Sequence, residues 1–229
     1  MYFTSLDYDR ILHEIITSGF AILPEIPEIA FDFKSVKVGF TENHQAHLAV
    51  LDSLGGVAVL ARELERFAVS EFGFRDLPSD HYHVTRRVDG CIRGEAYKTH
   101  FDSHLFTLVL PLRLPEASCF GEEEAGQLFL LPGARQHPSN ALVDALGKLA
   151  GLRFRGAKGV GELRKKTGFR VFDFKDRAPI IFAGNVCLHG NYPFITRDNT
   201  QTRVTGLSHF FDPFNGKGVG SMLRWLRKR

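Results

Sequence analysis

From about residue 81 the chain becomes a succession of short apolar or alternating segments cut by Gly and Pro turns: 81–88, 95–101, 104–112, 126–131, 169–174, 179–183, 185–189 and 203–211. Strands this short cannot bury a face alone. They must pair and close into a sandwich or barrel. The chain has 229 residues, enough for one large β-rich domain with a buried core. Its aromatics are mostly Phe, 21 against 5 Tyr and 1 Trp, which suits two sheets packed face to face.

Before residue 81 the period is helical. Leu6, Ile11, Leu12, Ile15 and Ile16 predict a helix over 5–18, with Ser5 or Asp7 as cap and Gly19 as stop. Residues 20–24 follow as a short strand. Leu54, Val57, Ala58, Leu60, Ala61, Leu64 and Phe67 predict a second helix over about 54–72, ended by Gly73. The expected organisation is a single domain over 1–229, with helical support at about 1–75 and a strand core at about 80–212. The stretch 133–168 interrupts the strands. A helix is expected at 139–150, followed by a segment rich in glycine and lysine from Gly156 to Lys166. A long insertion of this kind is expected to be either a mobile surface loop or a lid over a substrate site. The basic, amphipathic tail from Met222 to Arg229 reads as a packed or frayed terminal helix, with contact to an anionic surface as the alternative.

Several classes of function are disfavoured. A net charge of +3 gives no whole-chain affinity for nucleic acid. The polar start MYFTSLDYDR has no apolar leader region, and no apolar run reaches membrane-spanning length. Cys91, Cys119 and Cys187 are odd in number and widely spaced, which fits reduced thiols in a cytoplasmic protein better than disulfides or zinc.

The chemistry-bearing residues are His100, Asp102, His189 and Arg203. Two histidines and one carboxylate can hold Fe(II) and leave positions open for a cosubstrate and O₂. Strand alternation would put His100 and Asp102 on one side, and His189 ends a strongly apolar strand. Arg203 and Thr205 stand two apart, so they face the same way. An arginine fork pairs bidentately with a carboxylate, and an arginine starting a buried strand needs such a partner. His104 competes as a ligand, His81 and His83 form a His-x-His pair, and His209 shares a face with Arg203. Arg86 and Arg87 are the candidate substrate residues. Alternation sends them to opposite faces, and whichever points inward favours an anionic substrate.

These motifs together resemble the Fe(II)/2-oxoglutarate-dependent oxygenases, most closely their phytanoyl-CoA dioxygenase-like branch. The similarity covers about residues 10–24 and 95–211. It runs through Glu14–Pro24, the segment Gly126–His137, the strand Ala178–Gly190 and the pair Arg203-x-Thr205. Ala134 departs from the family's usual Ser, and the chain's length argues against a bulky acyl-CoA substrate. The resemblance implies a mainly β fold with flanking helices, a double-stranded β-helix or jelly roll. It implies that His100, Asp102 and His189 bind iron and that Arg203 and Thr205 bind the far carboxylate of 2-oxoglutarate. The implied reaction hydroxylates a small molecule with O₂, releasing succinate and CO₂. Related halogenases carry a small residue at the position of Asp102, so the carboxylate fits hydroxylation or desaturation. The competing expectation is a cupin-like isomerase or small-ligand binder using His81, His83 and His189.

Overall fold

The computed structural model describes residues 1–28, 31–79, 81–89, 96–115, 125–174, 176–195 and 201–214. Cys91, Cys119 and the tail Met222–Arg229 lie outside the described residues.

The first helix, α1 (Tyr8–Ser18), starts where the Asp7 side chain accepts from the Arg10 amide. It ends where Gly19, at φ 80°, donates its N–H to the Ile15 carbonyl. Its apolar face buries Ile11 and Ile15. The expected helix over 54–72 is shorter than its apolar pattern. Gly55 and Gly56 adopt φ of 97° and 70°, which breaks the chain between α2 (Gln45–Ser53) and α3 (Ala58–Phe72).

The strands are β1 (Phe20–Ile22), β2 (Gly39–Glu42), β3 (His81–Asp89), β4 (Phe106–Arg113), β5 (Leu128–Leu131), β6 (Arg170–Phe172), β7 (Ile180–Phe182), β8 (Leu188–Asn191) and β9 (Thr202–Phe210). They form a six-stranded sheet in the order β1-β7-β4-β9-β3-β2 and a three-stranded sheet in the order β6-β5-β8. Every pairing among them is antiparallel. The two sheets face one another across a cavity lined from both, which is the jelly-roll arrangement. The expected strand at 95–101 does not form. Tyr97 sits at φ 57°, and only His100 makes a ladder contact, an isolated bridge to His189.

The main core lies on the other side of the large sheet, under the helices. Phe106, Leu108, Leu110, Ile181 and Phe210 meet Ile11, Ile15, Leu60, Leu64 and Phe67 there. Burying a side chain of this size contributes roughly 1.5–3 kcal/mol, so this layer supplies most of the stability. A second cluster on the small sheet packs Phe101, Phe129 and Leu188 against Val160 and Leu163.

The insertion is helical. It contains α4 (Ala141–Gly151), a 3₁₀ turn at Leu152–Phe154, and α5 (Gly156–Arg164). The glycine-rich segment expected to be flexible is therefore α5, and its Gly159, Val160 and Leu163 are buried. A Cβ on Gly159 would come within 2.5 Å of the Phe154 carbonyl oxygen, so that glycine serves close packing. No residue of 133–168 lines the cavity between the sheets, which corrects the expectation of a lid. The orientation of α4 is unusual. Its Asp144 and Gly151 face the protein, with Asp144 held by Arg135 and Lys148, while Leu142, Val143, Leu146 and Leu149 are exposed.

Candidate metal centre

His100, Asp102 and His189 come together at the cavity wall, with one potential ligand atom from each within 4.8 Å of the others. The backbone does much of this. The His100 amide donates to the His189 carbonyl at 2.9 Å, and the His189 amide donates back to the His100 carbonyl at 3.1 Å. The two rings lie 4.3 Å apart as a result. The Asp102 amide donates to the Gly184 carbonyl at 3.0 Å. His100 Nε2 is then 3.6 Å from Asp102 Oδ1, and His189 Nε2 is 3.5 Å from Asp102 Oδ2.

The ring tautomers follow from the partners. His100 Nδ1 lies 2.9 Å from the Lys98 carbonyl and His189 Nδ1 lies 3.0 Å from the Cys187 carbonyl. A carbonyl can only accept, so each Nδ1 carries a proton, and Nε2 is the ring atom that each imidazole turns toward Asp102. Burial pushes His189 down to about 4, against the opposing pull of Asp102, which keeps the ring neutral at pH 7. Burial alone would raise Asp102. The surrounding imidazoles of His189, His209 and His100 and the Thr107 hydroxyl outweigh it and hold the carboxyl below the usual range. Neutral imidazole and ionised carboxylate are the forms that bind a cation.

Thr107 donates its hydroxyl proton to Asp102 Oδ2. With that proton committed, its oxygen must accept from His209 Nδ1, 3.0 Å away. His209 is therefore an orienting residue at the Asp102 side. The ring of His104 lies 5.1 Å from that of His209, and His104 is not part of the three-ligand cluster. His81 and His83 lie on the opposite face of β3, where His83 bonds Ser208 at 2.9 Å. The competing His81–His83–His189 site therefore does not assemble.

Arg203 and Thr205 both project from β9 into the same cavity, whose volume is about 510 Å³. Arg203 is buried, and no carboxylate pairs with it among the described residues. Burial, and then the charge of Arg86, push the guanidinium down to about 9. Gly126 makes room for it, since a Cβ there would sit 2.7 Å from Arg203 Nη1. Arg86 faces the cavity opposite Thr205 and donates to Asn191 Oδ1. Arg87 points the other way and pairs with Asp89 at 2.6 Å. Tyr82, Phe40 and Glu42 also line the cavity, with the Tyr82 hydroxyl donating to Glu42 at 2.7 Å.

Thr107, Phe40, Glu42, Tyr82 and Asn191 were not singled out in the sequence. Thr107 was legible only as a polar residue inside an apolar strand. Phe40 and Glu42 belong to β2, which carries no apolar alternation.

Neither a protein-family model nor a curated protein matches the sequence. Solved structures do share its architecture. EctD from S. alaskensis with bound Fe superposes with a TM-score of 0.53 at 16% identity, over 88% of this chain and 76% of that one. EctD from S. alaskensis with 2-oxoglutarate and 5-hydroxyectoine gives 0.50 at 14% identity, over 88% and 75%. A prolyl 4-hydroxylase from Phytophthora capsici gives 0.46 at 13% identity, over 89% of this chain and 64% of that one. At these identities the likeness to the two EctD structures establishes a common fold and nothing further.

Proposed function

We propose that this chain is a non-haem Fe(II)- and 2-oxoglutarate-dependent dioxygenase that hydroxylates a small molecule. One observation carries the reading. A buried guanidinium that no carboxylate pairs among the described residues shares a single cavity with a His-Asp-His cluster in which both Nε2 atoms turn toward the carboxylate. A His₂-carboxylate donor set suits Fe(II), and a buried cation without a counter-charge suits a dicarboxylate. EctD, which shares the fold, was crystallised with Fe and with 2-oxoglutarate.

When bound, Fe(II), 2-oxoglutarate and O₂ supply the oxidant, with succinate and CO₂ as coproducts. The protein supplies position. His100, Asp102 and His189 hold the ion, and the Lys98 and Cys187 carbonyls and the Thr107 hydroxyl hold the ligands. Arg203 and Thr205 take the far carboxylate. Arg86, close enough to depress Arg203, is read as part of the same anion seat. The expected anionic substrate then loses its main support, because the inward arginine serves the cosubstrate. Phe40, Glu42, Tyr82 and His209 are left to receive the substrate. Placement within the phytanoyl-CoA dioxygenase-like branch rests on the sequence motifs. The cupin-like alternative is not favoured, because His81 and His83 face away from the cavity.

The test is succinate formation from 2-oxoglutarate with Fe(II) and ascorbate, alongside Co(II) binding followed by absorbance. Succinate formation that depends on added Fe(II) supports the reading. Absence of both succinate and Co(II) binding overturns it.

A further inference from the structure

A helix on a protein surface ordinarily turns its apolar face inward. α4 does the reverse. Leu142, Val143, Leu146, Leu149 and, just beyond its end, Leu152 are 68, 45, 56, 62 and 40% exposed. Their spacing puts them on one stripe. The opposite face is the one that docks. Asp144 accepts from Arg135 and Lys148, and Lys148 also reaches Ser103 at 2.8 Å. Gly147 and Gly151 allow the close approach, since a Cβ on Gly147 would lie 2.3 Å from Arg135 Nη1. The helix is pinned by its polar side, so rotating the leucines inward would break a buried charge network. This orientation is built in.

The neighbouring chain is strongly basic. Between residues 152 and 166 six exposed cations (Arg153, Arg155, Lys158, Arg164, Lys165 and Lys166) stand against one acid, Glu162, in a chain whose total is +3. The exposed Arg153 directly follows Leu152 at the end of the stripe, and a cavity of about 340 Å³ brings Lys166 beside Arg153, Ala150 and Phe154.

We propose that the α4–α5 face docks on an anionic lipid surface. The leucines of α4 would lie among the acyl chains, and the basic residues of the following turn and α5 would contact the headgroups. A short helix with one apolar face and flanking cations lies in a membrane interface; at eleven residues α4 is too short to span one. Charge selects this occupant over two others. A second copy would bring the same cations against themselves. The tail Met222–Arg229 carries four basic residues and no acidic one, so it is repelled in the same way.

The experiment measures partitioning of the full chain onto phosphatidylcholine vesicles with and without about 30% phosphatidylglycerol, at low and high salt. The expected result is binding at least about tenfold stronger to the anionic vesicles, weakening as salt rises. Leu146→Ser with Leu149→Ser should lower it by about tenfold or more while leaving the unfolding transition in place, since both side chains are already exposed. In a Trp225→Phe background, Leu149→Trp should give a blue-shifted emission on anionic vesicles. Three results overturn the proposal: no preference for anionic vesicles, binding that survives the double leucine substitution, or a dimer in ultracentrifugation that the double substitution dissociates while vesicles are ignored.

Discussion

The two faces of β9 carry different burdens. Toward the cavity the strand presents Arg203, Thr205, Leu207 and His209. Toward the helices it presents Val204, Gly206, Ser208 and Phe210, buried in the main core or against α2. Successive side chains of a strand alternate, so nine residues can build a reactive wall and a stabilising wall without compromise between them. The inner face buries an arginine and a histidine at a cost in solvation. The outer face offsets it with Phe210 and Val204. Function and stability should therefore separate cleanly between odd and even positions, and on the adjoining strands as well.

The largest effect expected on the inner side is at Asp102. Asp102→Ala should lower metal affinity by more than about 100-fold, beyond what loss of an orienting partner costs, with little change in unfolding temperature. Co(II) titration and thermal unfolding of the same sample measure both. If the variant binds normally while His104→Ala does not, the inner wall has been misread. On the outer side, Phe210→Ala should cost about 3–5 kcal/mol in urea unfolding and leave metal affinity intact. A large drop in affinity would show the two faces to be coupled.

Arg203→Ala returns to the inner side. Removing one partner of a partly buried charge pair costs roughly 2–5 kcal/mol, so the 2-oxoglutarate KM should rise well beyond about tenfold. An unchanged KM in steady-state assays would remove Arg203 from the anion seat.

His47 probes the outer side by pH. Its ring is fully buried against Gly206, and neither nitrogen has a hydrogen-bond partner among the described residues. Burial, then the charges of His83 and His44, push it from 6.5 to about 3. The unfolded chain binds the proton more readily, so stability from the neutral ring is complete above about pH 6.5 and declines as pH falls toward 3. His47→Leu should flatten that decline by roughly 1.4 kcal/mol per pH unit. Urea curves with equal slopes in both proteins from pH 6 to 4 would contradict this. The smallest effect is Thr205→Ala, which should weaken 2-oxoglutarate binding by about 1 kcal/mol, read from its KM.

What the sequence revealed followed the same division. β9, β4 and β3 were legible because alternation or a continuous apolar run marks them, and α1 because Asp7 and Gly19 bracket a clear stripe. The candidate ligands were legible as residue types in order, although His100 sits on an isolated bridge and Asp102 in irregular chain and not on the expected strand. β2 was missed because Phe40 and Glu42 are exposed and nothing in its four residues alternates into a core. α2 was missed because its buried face includes a histidine, His47, beside Val50 and Leu51. α5 was read as a loop because glycine disfavours helix, and the packing of Val160 and Leu163 overrides that preference. The helix at α4 was legible, expected at 139–150, but no periodicity says which of its faces turns inward.

The reciprocal amide–carbonyl pair between His100 and His189 has a consequence for metal choice. The main chain brings both imidazoles to one place, so folding alone gathers the candidate ligands before any ion arrives. A rigid nitrogen–oxygen site of this kind does not discriminate by shape, and the ordinary ranking of divalent ions places copper, nickel and zinc above iron. Which ion occupies the protein then depends on what the surrounding solution offers and how fast each ion leaves. A purified sample should carry the history of its growth medium, readable by elemental analysis and erasable by chelation and reloading.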